Sequence, residues 1–151
     1  MLLTSPAFEN DQEIPQKFGK KFENTSIPLA WEGAPKDTKS FALSMVDYMS
    51  PTRYYVHWLA CNLSPDLSKL EIGASSDHHM PAEAKELKPY VGPFPPSGTH
   101  KYELTLYALK TPQLDVPNKA SLDDFLQAVG KTTLAKAQLT GTFTKIKATQ
   151  P

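Results

Sequence analysis

The sequence predicts a mainly β domain with one or two short helices near its C-terminal end. Its 14 prolines among 151 residues are nearly twice the average of about 5%, and they are dispersed, which argues against a helical bundle. Several apolar runs have the length and alternation of strands. The apolar content of 40% is enough for one core in a chain of this length, so we expect a single domain over residues 1–151.

The first half of the chain predicts loops and strands. Lys39–Asp47 is mostly apolar and has the length of a strand that is covered on both faces, ending at an acidic residue. Tyr54–Leu63 is a second such run, rich in aromatic and β-branched residues. Before them, prolines exclude long helices and leave only loops and short strands. These prolines are Pro6, Pro15, Pro28 and Pro35.

The middle of the chain contains one segment without a secondary-structure pattern and one segment that clearly predicts a strand. Asp66–Lys88 has no hydrophobic period, which suggests an excursion away from the core, with a turn at Asp77–Pro81. Lys101–Ala108 alternates between apolar and polar residues and predicts a strand. One face of this strand carries Tyr102, Leu104, Leu106 and Ala108.

The C-terminal part predicts a helix followed by a strand. Ser121 precedes an apolar helical pattern that closes at Gly130, and Asp124 completes a capping box. A second short helix capped by Thr132 or Thr133 is expected next. Residue character alternates along Leu139–Ile146, which predicts a strand with one face exposed to solvent.

Charge and cysteine content exclude several classes. The 16 basic and 16 acidic residues balance, so the chain has no net positive charge to attract a polyanion and we expect no nucleic-acid partner. No apolar run approaches the roughly 18 residues that span a bilayer, and residues 1–10 lack a signal core, so we expect a cytoplasmic protein without a transmembrane segment. Cys61 has no cysteine partner for a disulfide or a thiolate zinc site, and its apolar setting predicts burial and low reactivity.

Three ionisable residues lie at the ends of predicted strands: Asp47, His57 and His100. The short link Tyr48–Arg53 permits the first two strands to be neighbours, which would bring these side chains together. A single histidine is better explained as a half-buried structural residue, but the convergence of three such residues weakens that explanation. Before His100, the loop Tyr90–Thr99 contains three prolines and two glycines. It is either a rigid crossover or a concavity in which backbone N–H groups receive a small anion.

Four segments read PLAWEGAP (28–35), KSFALSMVD (39–47), HWLACN (57–62) and YVGPFPPSGTHKY (90–102). Together they resemble the phosphatidylethanolamine-binding protein family, in particular its short bacterial and archaeal, Raf-kinase-inhibitor-like branch. The similarity continues into LYAL (106–109) and AQLTGTF (137–143) and so covers nearly the whole chain apart from the excursion.

This resemblance implies an antiparallel β-sandwich with a shallow pocket for phosphate, carboxylate or a phosphoethanolamine-like head group. Asp47 matches the first pocket aspartate of the family, and His57 and His100 match its two histidines. Tyr102 matches the aromatic residue after the second histidine, and Tyr55 stands where the family often has tryptophan. The implied ligand-binding residues are Asp47, Pro51, Tyr55, His57, Gly92, Pro95, Pro96, Gly98, His100 and Tyr102.

The chain also departs from the family pattern. Met49 replaces a second aspartate, so one carboxylate at the pocket edge is lost. Phe94 stands where the bacterial branch commonly has cysteine, and Ser75–Met80 replaces the usual approach to the pocket. These changes leave the ligand preference at the mouth open.

The leading hypothesis is a binding module, with no catalytic residue, cofactor or metal. Asp47 would orient one histidine. An anion would be received by His57, His100 and the backbone N–H groups of the glycine loop, and the bound anion would favour the protonated form of the imidazoles. The alternatives are a hydrolase that uses the same residues with or without a metal, and a module that modulates a partner protein such as a kinase or protease. A homodimer is also compatible with the sequence. For the metal alternative, His78 and His79 are further donors.

Overall fold

The computed structural model describes residues 1–50 and 53–145. In chain order the strands are β1 (Leu2–Thr4), β2 (Gln12–Glu13), β3 (Leu29–Glu32), β4 (Ser40–Asp47), β5 (Tyr55–Leu63), β6 (Lys69–Leu70), β7 (Lys85–Lys88), β8 (Thr99–Leu109) and β9 (Thr133–Thr144). A 3-10 turn lies at Gln16–Phe18, and the helix α1 spans Leu122–Gly130. No described helix has both the length and the apolar character needed to cross a bilayer.

The strands form two sheets that pack face to face. The small sheet has the order β1-β3-β6, and the large sheet has the order β2-β9-β8-β4-β5-β7. Neighbouring strands are antiparallel except for β2 and β9, which pair in parallel over two residues. The predicted mainly β sandwich is therefore confirmed, with one parallel pair at an edge.

The large sheet is a middle layer between two hydrophobic clusters. Toward the small sheet, β4 presents Phe41, Leu43 and Met45, which pack in one cluster with Leu3 and Trp31. This arrangement follows from the two-residue period of a strand, which sends successive side chains to opposite faces. The opposite face of β4 and α1 form the second cluster, with Ala42, Val46, Leu122, Phe125 and Val129. Every residue of β4 is consequently buried, as the apolar run predicts.

The inward face of β8 also agrees with the sequence. Tyr102, Leu104, Leu106 and Ala108 all belong to the cluster between the sheets. Strand β8 is longer than Lys101–Ala108 because it pairs with β4 on one side and with β9 over its whole length on the other.

The helix α1 begins as predicted, but the expected second helix is wrong. The Ser121 hydroxyl accepts a hydrogen bond from the Asp124 backbone N–H (3.1 Å), and the Asp124 carboxylate accepts one from the Ser121 N–H (3.4 Å). Strand β9 starts at Thr133, where a second helix was expected, and the Thr133 hydroxyl donates to the Val129 carbonyl (2.6 Å). Pairing with β8 outweighs the helix propensity of Ala135 and Ala137. Ile146, the predicted end of this strand, lies outside the described residues.

The excursion Asp66–Lys88 returns to the large sheet, which its sequence does not predict. Its last residues form β7, which pairs with β5 as an edge strand. A polar network ties it down: the Glu86 carboxylate accepts hydrogen bonds from the Trp58 indole N–H (2.9 Å) and the Ser75 hydroxyl (2.6 Å). The same Ser75 oxygen accepts from the Tyr90 backbone N–H (3.0 Å), so the excursion fixes the start of the loop Tyr90–Thr99.

Candidate functional site

An irregularity in β5 sets the position of His57. Met45 pairs with Trp58, but the next residue of β4, Val46, pairs with Val56, so His57 is an extra residue in β5. Such a bulge interrupts the alternation of a strand and can turn a side chain toward a different face. His57 packs edge-on against Tyr102 of β8, with ring centroids 5.1 Å apart.

His57 is buried and neutral near pH 7. Burial lowers its pKa to about 4, and the opposing effects of the hydrogen bond to the Val91 backbone and of the Asp47 charge are smaller. The Nδ1–H group donates to the carbonyl oxygen of Val91 (2.6 Å), which fixes the tautomer and leaves Nε2 without a proton. A positive charge on His57, which the sequence analysis expects a bound anion to favour, would therefore form only against the cost of burial.

Asp47 and His100 form a buried pair. His100 Nδ1–H donates to Asp47 Oδ2 (2.6 Å), and both side chains are less than a tenth exposed. The second carboxylate oxygen, Oδ1, accepts from the backbone N–H of Met49 (2.8 Å). Asp47 is thus held by two hydrogen-bond donors at the end of β4.

Tyr102 brings a hydroxyl group to the same place. The residue is fully buried, and its hydroxyl has no hydrogen-bond partner of good geometry among the described residues. Burial and then the Asp47 charge raise the pKa of Tyr102, while the Phe94 backbone lowers it. A buried hydroxyl without a partner is costly, and a bound molecule that supplies an acceptor would remove that cost.

These groups surround one open cavity of about 380 Å³. The described residues that line it are Lys21, Asp47, Ser50, Tyr55, His57, Phe94, Pro95, Pro96, Tyr102 and Lys145. Phe94 packs edge-on against Tyr55, with ring centroids 5.0 Å apart, and lies 5.6 Å from the His57 ring centroid. The cavity therefore has an aromatic wall that packs directly against the His57 ring.

Gly92 brings a basic segment to this cavity. A Cβ atom on Gly92 would lie 2.0 Å from the Phe18 carbonyl oxygen and 2.7 Å from the Lys20 nitrogen, so only glycine permits this approach. The contact is fixed by hydrogen bonds from the Gly92 N–H to Asn24 Oδ1 (2.7 Å) and from the Lys20 N–H to the Pro93 carbonyl (3.0 Å). The Gly92 amide is therefore occupied, contrary to the expectation that it is free for an anion. Its packing instead places the segment that carries Lys21.

Gly98 supports the other basic residue of the cavity. It has a φ of +61°, which favours glycine, at the turn into β8. Its carbonyl oxygen accepts a hydrogen bond from the Lys145 backbone N–H (2.8 Å). Gly98 thus holds the chain at Lys145 without lining the cavity itself.

Two further lysines lie against the aromatic wall. Lys20 Nζ is 4.5 Å from the centroid of the Phe94 ring, and Lys88 Nζ is 5.7 Å from that of Tyr55. Among the described lining residues Asp47 is the only acid, and it is paired with His100. The mouth of the cavity is therefore basic, although the chain as a whole is neutral.

The structure brings most of the predicted site residues together. Asp47, Tyr55, His57, Pro95, Pro96 and Tyr102 line the cavity. His100 lies behind Asp47, and the two glycines position neighbouring segments, while Pro51 lies outside the described residues. Sequence reasoning missed Lys21 and Lys145, which no local motif marks, and it treated Phe94 only as a departure from the family.

Within residues 1–50 and 53–145, no three His, Cys, Asp or Glu side chains are placed so that they could hold a metal ion. His78 and His79 are exposed and remain outside the cavity.

The fold and the cavity define a β-sandwich protein with a basic-rimmed pocket at one end of its large sheet. Residues 4–144 match the family model described as phosphatidylethanolamine-binding protein, and the chain belongs to this family. A UPF0098 protein of Methanothermobacter thermautotrophicus is 36% identical over 149 residues, which cover 95% of this chain and 98% of the relative.

Two solved structures have the same fold. Escherichia coli YbcL, described as a member of the mammalian PEBP family, superimposes with a TM-score of 0.88 at 25% identity, covering 97% of this chain and 98% of YbcL. The PEBP homologue CT736 of Chlamydia trachomatis gives a TM-score of 0.84 at 29% identity, covering 96% and 97% of the two chains.

Proposed function

We propose that this protein is a binding module whose cavity takes a small molecule bearing a phosphate or carboxylate group, such as a phospho-head group. The observation that supports this most directly is the charge arrangement. Lys21 and Lys145 line a cavity whose acid, Asp47, is paired with His100. An anion entering from solvent therefore meets two lysines first, and lysines bind phosphate as strong point charges.

The interior of the cavity suits the rest of such a ligand. Tyr55 and Phe94 offer an apolar wall, and the unpartnered Tyr102 hydroxyl can donate to an anionic oxygen. Neutral His57 Nε2 is an acceptor and suits a ligand atom that carries a proton, such as a phosphate hydroxyl or an ammonium group. The volume of about 380 Å³ leaves room for an organic group beside the anion.

This mechanism differs from one in which the histidines supply the charge. Lysines are already protonated at pH 7, so binding to them takes up no proton. His57 would have to be protonated against the cost of its burial. We therefore expect sulfate, which does not itself titrate near neutral pH, to bind with an enthalpy that is nearly independent of the buffer.

Isothermal titration calorimetry with sulfate and with O-phosphoethanolamine tests the proposal. Lys21→Gln and Lys145→Gln should each weaken sulfate binding by about 10- to 100-fold, because a hydrogen bond to a charged group is worth roughly 1.5–3 kcal/mol. The matched control is Lys136→Gln, an exposed lysine of β9 outside the cavity. Absence of binding by both probes, or an equal loss in the control variant, would reject the proposal.

An alternative function of the same module is to modulate a partner protein. The predictions of a protein partner, a homodimer, a cytoplasmic location and a single domain stay predictions.

A further inference from the structure

We propose that the outer edge of β9 binds an extended segment of another polypeptide, which adds to the large sheet as one further strand. The part of the edge that is open to such pairing, the free edge, is defined by Ala135–Leu139. It lies apart from the cavity, whose described lining includes none of these residues. The inference therefore goes beyond the proposed function and does not depend on it.

Strand β9 is paired along its outer edge over only part of its length. Its inner edge pairs with β8 over the whole strand, but β2 covers only Gly141 and Thr142 on the outer side. Just before β2, the Thr140 carbonyl accepts a hydrogen bond from the Asp11 N–H (2.7 Å), and the Thr140 N–H donates to Asn10 Oδ1 (2.8 Å). On the N-terminal side of Thr140, no described strand pairs with this edge.

The backbone groups of Lys136 and Gln138 point outward from the free edge. In a strand, the N–H and C=O groups of residues two positions apart lie on the same side, and Thr140 shows that the even-numbered residues face away from β8. The register between β8 and β9 is regular from Ala135 onward. Both outward residues are exposed, and none of the described residues is hydrogen-bonded to their backbone groups. The edge thus offers two donors and two acceptors with the spacing of a β ladder.

An apolar pocket between the free edge and β1 suits a side chain of the added strand. It has a volume of about 390 Å³ and is lined by Leu2, Leu3, Thr4, Ser5, Phe8, Glu9, Asn10, Gln138 and Leu139. Leu139 faces the small sheet, as do Ala135 and Ala137. Since directly opposite side chains of paired strands share a face, a residue opposite Leu139 would point into this pocket. The two alanines leave space for larger apolar residues opposite them.

The charge of the free edge favours a foreign segment over a second copy of the chain. Lys136 is exposed and forms no ion pair with the described residues. A closed dimer requires antiparallel pairing of this edge with itself. Registers that stay within the free edge place the two copies of Lys136 opposite or diagonal to each other, where like charges repel. A register centred on Gln138 separates them but needs the edge at Thr140, which the N-terminal segment occupies.

The partner is therefore expected to present an extended segment with an acidic residue between apolar residues. The acidic residue would lie opposite Lys136 and form an attractive cross-strand pair. The apolar residues would lie on the other face, over Ala135, Ala137 and the pocket at Leu139. Addition of such a strand to an exposed edge is a common mode of peptide recognition, in which backbone hydrogen bonds give affinity and side-chain pockets give specificity.

Amide hydrogen exchange of the full chain, followed by NMR, tests this site with the probe acetyl-Leu-Thr-Leu-Glu-Val-amide. Paired antiparallel, the probe places its Glu opposite Lys136 and its first Leu opposite Leu139. The amides of Lys136 and Gln138 should exchange rapidly in the free protein and slow about tenfold at a free probe concentration of roughly ten times Kd. Protection of both amides without the probe, or no response to it, would overturn the proposal.

Methylated probes separate backbone pairing from contact by side chains alone. In the antiparallel ladder the N–H groups of the probe's Thr and Glu face Gln138 and Lys136, whereas those of its second Leu and its Val face solvent. N-methylation of Thr and Glu should weaken binding about 30-fold, because it removes two hydrogen-bond donors. N-methylation of the second Leu and Val should leave the affinity nearly unchanged. Equal losses from the two methylation patterns would contradict strand addition.

Two substitutions of Lys136 provide the matched pair in the protein. Lys136→Pro removes the outward N–H, a change that an edge strand tolerates, and should weaken probe binding more than Lys136→Thr does. Lys136→Thr keeps the N–H and removes only the charge pair, so its loss should be about 1.4- to 5-fold. Circular dichroism shows whether each variant is folded, and if Lys136→Pro is not, the methylated probes decide. Undiminished binding to a folded Lys136→Pro variant would reject the proposal.

Sedimentation velocity at the NMR concentration tests the second copy as the occupant. The chain should sediment as a monomer or as an oligomer in which the Lys136 and Gln138 amides still exchange rapidly. Self-association that protects these two amides in the absence of the probe would assign the free edge to a second copy and overturn the proposal.

Discussion

Gly92→Ala tests whether the close contact of the glycine loop with the basic segment holds the mouth of the cavity together. The added Cβ would lie 2.0 Å from a backbone oxygen and 2.7 Å from a backbone nitrogen, and neither can rotate away. Overpacking of this kind costs about 1–3 kcal/mol. Displacement of the segment would also break the Gly92–Asn24 and Lys20–Pro93 hydrogen bonds, at about 1 kcal/mol each.

The free energy of unfolding should therefore fall by about 3–5 kcal/mol, which lowers Tm by roughly 10 °C for a domain of this size. Under conditions where the variant is still folded, sulfate affinity should fall as well, because Lys21 loses its position. Urea unfolding followed by circular dichroism measures the first effect, and calorimetry measures the second.

Two other glycines provide matched controls. In Gly98→Ala the added Cβ has no atom within 4 Å, but the residue keeps a φ of +61°. This backbone conformation costs about 1–2 kcal/mol in a residue with a Cβ. Gly130→Ala, at the end of α1, also meets no atom and should be neutral or stabilising by up to about 1 kcal/mol. If Gly92→Ala proves no more destabilising than Gly98→Ala, the contact does not have the assigned importance.

Three further expectations concern buried groups. Burial lowers the pKa of His57 to about 4. As the pH falls, His57 is therefore protonated in the unfolded chain at a higher pH than in the folded chain. About 3 kcal/mol of stability, fully present above pH 6.5, should be lost by pH 4, and urea unfolding of His57→Gln should show a flatter pH profile. Burial raises the pKa of the Cys61 thiol to about 11, so a thiol reagent should label the native protein far more slowly than the denatured protein. Glu86→Ala should lower the unfolding free energy by about 3 kcal/mol, because it leaves the Trp58 and Ser75 donors without their acceptor; unchanged urea unfolding would contradict this.

The parts of the fold that the sequence predicts are those governed by local patterns. The β4 run is apolar at consecutive positions because both of its faces are covered, and the alternation in β8 marks its inward face directly. The capping box of α1 requires only residues three positions apart. The meeting of Asp47 with His100 follows from the placement of both residues at strand ends.

The missed features depend on contacts between distant parts of the chain. The bulge that sets His57 is a property of the β4–β5 register and leaves no mark in the composition of β5. Strand β7 has only four residues and exists because β5 offers it an edge. Lys21 reaches the cavity through the docking of its segment on Gly92, more than 70 positions later in the chain. The first half of β9 alternates with alanines, which fit a helix equally well until β8 is present as a partner.

Because the large sheet lies between two hydrophobic clusters, residues on its two faces can change independently during evolution. The cavity is built on the side of the small sheet, from residues such as Tyr102, whereas Phe125 and Val129 of α1 pack on the reverse side. Substitutions in groups that share no partners tend to add in their effects on stability. A lineage can therefore repack the α1 side to regain stability after a destabilising change at the cavity mouth, without touching the residues that face the ligand. The reverse side of the sheet can therefore compensate for substitutions at the mouth.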